Sequence, residues 1–268
     1  MFIKFIAVLL ILAGIAGVVL PIIPGVLLIT IGVLILFKDK TAEIRKKLPE
    51  KMPAIGAITY NWFIPKILSP YYNKILDEIP SLENKKVLDL GAGPGILTIG
   101  IAGKFPSSKV IGIDISEKMV EIAAKNRPLR SKNVPAEAML DNLEFKVMDA
   151  KAMDFSEGTF DFILSTGSMH HWKEPLRIFN EIYRCLKSGG EAWIYDGYGD
   201  VSKEDVRSST KRMLGVFPPY RLIKFMMRIH GYTEKEYEVL VRDVVSKVGF
   251  KAATLEHRGL MMRLRLQK

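Results

Sequence analysis

Val87-Leu-Asp-Leu-Gly-Ala-Gly-Pro-Gly95 reads as a short buried strand, Val87 to Leu90, carrying one acid, Asp89, and running into a glycine-rich turn. Ile96-Leu-Thr-Ile-Gly-Ile-Ala-Gly-Lys104 then opens a helix. Strand, tight turn and helix form the first half of a nucleotide-binding βαβ unit. The glycines let the backbone turn sharply and approach a ligand with no Cβ in the way. A dinucleotide fingerprint needs Gly-x-Gly-x-x-Gly/Ala, and here the sixth position is Ile96, too large for that close approach. The spacing is instead Gly91-x-Gly93-x-Gly95, with an acid two residues upstream. Lys109-Val-Ile-Gly-Ile-Asp114 is a second strand ending in an acid, 19 residues after Gly95. A carboxylate there can accept from ribose hydroxyls.

The same logic continues downstream. Leu143-Glu-Phe-Lys-Val147 alternates as a third strand and is followed by Met148-Asp149-Ala150. Phe160-Asp-Phe-Ile-Leu-Ser165 is a fourth strand, and chemistry in such a sheet belongs at its C-terminal end. Leu186-Lys-Ser-Gly-Gly190 reads as a helix end and turn leading to a fifth strand over residues 191–195.

These motifs, in this order over residues 81–195, resemble the class I S-adenosylmethionine (SAM)-dependent methyltransferases. The likeness is to their small-molecule and quinone-biosynthesis (methyltransferase type 11) branch. It implies an α/β, Rossmann-like fold: a mostly parallel sheet with helices on both faces and a closing antiparallel strand. It also implies SAM as cofactor. Asp89, Gly91, Gly93 and Gly95 would surround the methionine end, and Asp114 would hold the ribose. Ile115 and Met119 would lie against the adenine, Asp149 would accept from its amino group, and Ala150 would sit beside the ring. Ser165 completes the cofactor set. Read without the resemblance, the alternative for Asp149 is a turn residue.

Ser165-Thr-Gly-Ser-Met-His170-His171-Trp172 follows the fourth strand. His170 and His171 are candidate general bases for removing a proton from the methyl acceptor. Substrate positioning, or capping of the helix over 173–186, are the alternatives. No further His or Cys stands at ligand spacing, so no metal site is expected. The single cysteine, Cys185, excludes a disulfide framework and reads as core.

A net charge of +10 suits nucleic acid, a membrane surface, or merely a lysine-rich exterior. Nucleic-acid amino methyltransferases carry Asn/Asp-Pro-Pro-aromatic after the fourth strand, and this chain does not. Phe217-Pro-Pro-Tyr220 lies beyond the fifth strand, so no nucleic-acid partner is expected.

Residues 2–37 contain one charge, Lys4, and Pro21-Ile-Ile-Pro24-Gly25 interrupts the run. We read a hairpin of two short membrane helices, roughly 3–20 and 24–37, about 27 Å and 21 Å long. A shallow or re-entrant hairpin remains compatible with those lengths. The run is too long for a signal-peptide core. Lys38, Lys40, Arg45, Lys46, Lys47 and Lys51 follow it, which places both ends and the catalytic domain on the cytoplasmic side of a membrane.

Residues 38–80 read as a basic, aromatic connector broken by Pro49, Pro53, Pro65 and Pro70 into short helices. Those helices either meet the membrane interface through Tyr60, Trp62, Tyr71 and Tyr72 or pack over the catalytic domain, which occupies 81–268. Within it, 197–230 is a helical lid or a membrane-facing insert. Its 220–229 segment interleaves Arg221, Lys224 and Arg228 with Leu222, Ile223, Phe225, Met226, Met227 and Ile229, as in a helix lying on anionic lipid. Thr233-Glu-Lys-Glu236 is a capping box for a helix to about residue 247, stopped by Gly249, and 250–257 with 260–266 close the sheet.

The expected function is a membrane-anchored SAM-dependent methyltransferase acting on a lipophilic small molecule, a quinone-like ring or a lipid head group, with membrane lipids as partners. The alternatives are a tethered methyltransferase of a soluble metabolite or protein, or a SAM-binding scaffold without catalysis.

Overall fold

A computed structural model describes residues 40–126, 141–214 and 220–268. The expected membrane hairpin, the segment 127–140 and Phe217-Pro-Pro219 lie outside the described residues. Among those described, no helix is long and apolar enough to cross a membrane.

The chain builds helices α1 (Thr41–Lys47) and α2 (Ala54–Glu78) before the first strand, β1 (Lys86–Leu90). Then follow α3 (Ile96–Lys104), β2 (Lys109–Asp114), α4 (Glu117–Asn126), β3 (Leu143–Val147), β4 (Phe160–Thr166), a 3-10 turn (Met169–His171) and α5 (Pro175–Cys185). β5 (Leu186–Tyr198), α6 (Lys203–Leu214), α7 (Tyr220–Ile229), the two-residue β6 (Gly231–Tyr232) and α8 (Glu234–Asp243) come next. β7 (Ala252–Arg258) and β8 (Met261–Gln267) end it.

The strands form one sheet in the order β3-β2-β1-β4-β5-β8-β7, with β6 beside β5. β1 to β5 are mutually parallel, and β8 runs antiparallel to both β5 and β7. The expected sheet, closing strand included, is therefore present.

Alternation decides what each face buries. Leu88, Leu90, Ile113, Ile163 and Ile194 join Phe179 and Ile182 of α5 on one face. Val87, Val110, Phe162, Leu164 and Trp193 join Ile99 and Ile101 of α3 and Ile75 of α2 on the other. Each fully buried aliphatic or aromatic side chain contributes about 1.5–3 kcal/mol. The register places Leu90 beside Ile113 and Ser165, and Ser165 beside Ile194. One step further, Gly91, Asp114, Thr166 and Tyr195 all reach the carboxyl edge of the sheet. The strand order reverses between β1 and β4, which opens a crevice at that edge.

Three local expectations are corrected. The connector is not a set of short helices: α2 runs 25 residues through Pro65 and Pro70. A mid-helix proline costs about 3 kcal/mol, and burial of Tyr72, Ile75 and Ile79 against the sheet outweighs it. α8 stops at Asp243 and gives way to a 3-10 turn (Val245–Lys247) before Gly249, whose φ is +94°. β5 begins at Leu186, opposite Phe160, and the Lys187-Ser-Gly-Gly190 turn is carried inside the strand as a bulge.

Glycines set how closely these elements approach. A Cβ on Gly112 would stand 2.8 Å from the Phe145 ring, and one on Gly95 2.6 Å from it. Gly112→Ala should therefore lower stability by about 1–3 kcal/mol. Gly103, inside α3, has nothing within 4 Å of the corresponding position. Gly103→Ala should be neutral or stabilising, by up to about 1 kcal/mol. Urea unfolding of both variants checks the contrast, and equal destabilisation would contradict this packing.

Candidate functional site

The glycine turn folds back over the end of β2. Gly91, Gly93 and Gly95 all adopt positive φ, which L side chains rarely tolerate. Ala92 N–H donates to the Ile113 carbonyl at 2.9 Å, and Gly93 N–H donates to Asp114 Oδ2 at 2.9 Å. Asp114 Oδ1 accepts from Ser116 N–H at 2.8 Å. Burial raises the Asp114 carboxyl, and the two N–H donors oppose that rise. Each of its oxygens keeps a lone pair for a further donor.

Asp89 points to the α3 face and is buried, accepting from Thr98 Oγ1 at 2.6 Å. It lies beneath the turn rather than in the open crevice. Gly91 is close to Ser168, whose hydroxyl is 2.7 Å from that of Ser165. Ser165 Oγ also donates to the Leu90 carbonyl at 2.9 Å, so β4 is tied to the strand that carries the turn.

A Cβ on Gly93 would meet nothing within 4 Å. Space above this turn, beside a carboxylate with unused acceptors, fits the SAM that the motifs imply. Ile115 and Ala150 are half-buried near the ends of β2 and β3. Met119 is buried against Ala57 and Ile122, with Met52 and Tyr60 packed beside them, under α2 rather than in the crevice. Asp149 Oδ1 accepts from Lys151 N–H at 2.9 Å, so it is a turn-forming residue whatever else it contacts.

Three of the chain's four histidines converge on the opposite face of the sheet. Asp196, at the end of β5, is fully buried and binds His170 twice, accepting from its backbone N–H and facing its Nδ1, each at 2.7 Å. Gly197 N–H also donates to Asp196. An ionised carboxylate only accepts, so neutral His170 carries its proton on Nδ1 and its lone pair on Nε2. That Nε2 lies 3.4 Å from Nδ1 of His230, which follows α7.

His230 is exposed to solvent on one side, and the protein packed around its ring, followed by the neighbouring His170, lowers it to about 4. His171 is likewise lowered to about 4, by burial and then by His170. Its ring bonds the Pro49 carbonyl, while its Nδ1 is buried without a partner. His170 is thus the histidine built into a carboxylate pair. Among the described residues, no group of His, Cys, Asp or Glu is arranged to hold a metal ion.

The segment between α1 and α2 crosses this edge as a strap. Glu50 accepts from Lys173 N–H at 2.8 Å and from Lys151 Nζ at 3.2 Å, and Ser116 Oγ donates to the Met52 carbonyl at 3.3 Å. The connector therefore packs on the catalytic domain, one of its two readings. Asp196, His230, Thr98 and Glu50 escaped the sequence reading. An acid one step past a fifth strand was a usable signal for Asp196; nothing local marks His230.

Burial, opposed by the Thr98 hydroxyl, raises the Asp89 carboxyl from 3.8 to about 7. The native state then holds a proton that the unfolded state has lost, so this group's contribution to stability falls as pH rises from about 4 to about 7. The full penalty is on the order of 4 kcal/mol. Asp89→Asn, which mimics the protonated acid, should match wild type near pH 4 and exceed its stability above pH 8. Thermal unfolding across pH checks this, and parallel wild-type and variant curves would contradict it.

A methyltransferase domain model matches residues 88–194, the span from the glycine turn to the fifth strand. The Lactococcus lactis demethylmenaquinone methyltransferase is 33% identical over 201 residues, 69% of this chain and 73% of that protein. A candidate S-adenosyl-L-methionine-dependent methyltransferase structure from Methanococcus maripaludis superposes with TM-score 0.62 at 24% identity, over 80% of this chain and 93% of that one. Haemonchus contortus phosphoethanolamine N-methyltransferase 2, in complex with S-adenosyl-L-methionine, gives TM-score 0.52 at 22% identity, over 76% of this chain and 43% of that one. The chain spans about half the length of some other curated relatives. With a methyltransferase domain model over residues 88–194 and a relative 33% identical aligned over most of its length, the chain belongs to the SAM-dependent methyltransferases.

Proposed function

We propose that this methyltransferase acts on a lipophilic small molecule at a membrane, with residues 2–37 as its anchor and His170 taking the acceptor's proton. The observation that carries the reading is the His170–Asp196 pair at the carboxyl edge, on the other side of the crevice mouth from the cofactor cradle. The apolar run and the name of the Lactococcus lactis relative support a quinone-like acceptor.

SAM, when bound, supplies a methyl group on a sulfonium, so the protein's share is alignment, water exclusion and proton removal. Asp114 accepts from the ribose hydroxyls, and Gly93 leaves the room the cofactor needs. Asp196 fixes the imidazole and stabilises the imidazolium that forms when Nε2 takes the acceptor's proton. His171 and His230, neutral at physiological pH, leave that charge to His170. The strap from Pro49 to Met52 covers the edge and limits water.

Asp114→Ala should weaken SAM binding by about 1.5–3 kcal/mol, and Gly93→Val should abolish it in a folded protein. Isothermal titration calorimetry showing wild-type affinity in both would refute the cradle. His170→Ala and Asp196→Asn should keep SAM affinity while slowing methyl transfer about 10²–10⁴-fold, assayed with labelled SAM and demethylmenaquinol or a total lipid extract. Unchanged turnover in both would remove His170 from the mechanism. Residues 1–37 should also hold the full chain in membranes through a carbonate wash; release into the supernatant would remove the anchor.

A further inference from the structure

α1 and α7 pack against each other, and a buried arginine joins them. Arg45 of α1 donates to the Arg228 carbonyl at 3.1 Å, to the Gly231 carbonyl and to the Glu236 carboxylate, and its guanidinium lies 4.5 Å over the Tyr232 ring. Removing Glu236 would leave a buried charge, so the arginine holds α1 in one place against the end of α7 and the start of α8.

The outward surface of α1 and α7 is basic. Lys46, Lys47 and Arg221 are exposed, and Lys224 stands 5.7 Å over the Tyr220 ring. Glu43 is the one acid on the two helices. Arg228, counted with this stripe in the sequence, turns inward instead to Asp200 at 3.0 Å and to the Gly199 carbonyl at 3.3 Å. Met226 is 46% exposed among these cations, while Phe225 points to the core.

Two further facts give the surface a direction. The apolar run 2–37 leads straight into α1, so a chain held in a bilayer by that run brings α1 to the headgroups. α7 in turn leads into His230, whose ring meets His170, so the histidine assigned above to proton removal stands beside the same helix.

We propose that α1 and α7 together form a docking surface for anionic lipid headgroups, holding the mouth of the histidine pocket against the bilayer. The inference rests on the anchor reading above. Lys46, Lys47, Arg221 and Lys224 meet the phosphates, Met226 enters the headgroup boundary, and a lipophilic acceptor reaches His170 without crossing water.

The test uses the full chain reconstituted in vesicles of phosphatidylcholine, alone or mixed with phosphatidylglycerol. An environment-sensitive dye is placed on Met226→Cys or, as reference, on Ala252→Cys, which pairs toward the amino edge of the sheet. Cys185 is fully buried with its thiol pushed up to about 11, and stays unlabelled. In the mixed vesicles the dye at position 226 should shift to the blue and be quenched by brominated acyl chains, with no response at 252. Arg221→Glu with Lys224→Glu should reverse the shift while SAM affinity stays within twofold of wild type. No shift at 226 in anchored protein, or an equal shift at 252, would overturn the proposal. So would a shift that survives the charge reversal. Protein that fails to enter the vesicles at all refutes the anchor instead, and protein that fails to bind SAM refutes the methyltransferase assignment.

Discussion

The active edge depends on how closely one backbone segment passes over another. Gly91 to Gly95 must fold back onto the end of β2, near enough for Ala92 and Gly93 to donate to Ile113 and Asp114. That approach needs three positive-φ residues and no side chain at Gly112, where Phe145 already fills the notch. The Gly93 bond, together with one from Ser116 N–H, orients the Asp114 carboxylate, so building the turn also fixes that acceptor. Preorganisation of this kind spares the protein the cost of ordering the group at the moment of binding.

The sheet then separates two chemistries by simple alternation. Asp89 and Asp114 fall on the α3 face, and Ser165 and Asp196 on the other. Asp89 spends its carboxyl on Thr98, clamping the strand to the helix that follows the turn. Asp196 spends its own on His170. Two buried acids on neighbouring parts of the sheet thus acquire different tasks from their neighbours: one clamps β1 to α3, the other sets a histidine's tautomer.

Several of the described segments outside the parallel core converge on this edge. The strap between α1 and α2 binds the ends of β2, β3 and β4 through Met52 and Glu50. Arg45 ties the same segment to β6 and α8. β6 itself needs glycine on both sides, because a Cβ on Gly197 or Gly231 would overlap backbone. That contact brings His230 to His170. The region before β1 therefore ends up packed over the carboxyl edge of the sheet, beside the histidine cluster.

The sequence by itself determined the α/β class, the strand ends, the glycine turn and the acids on β1 and β2. Each of these is a local matter, set by side-chain period, glycine φ and acid position within a few residues. It also determined the Thr233–Glu236 capping box, a contact over three residues. Tertiary structure alone decided that α2 runs through two prolines, because burial on the sheet outweighs a local penalty that sequence reading sees undiluted. It alone turned Arg228 inward, since Asp200 is 28 residues away in the chain. Above all it assembled His170, Asp196 and His230, separated by 26 and 60 residues. Long-range pairs like these leave no periodic trace in a sequence, because the geometry joining them is set by strand register and by a glycine contact between β5 and β6.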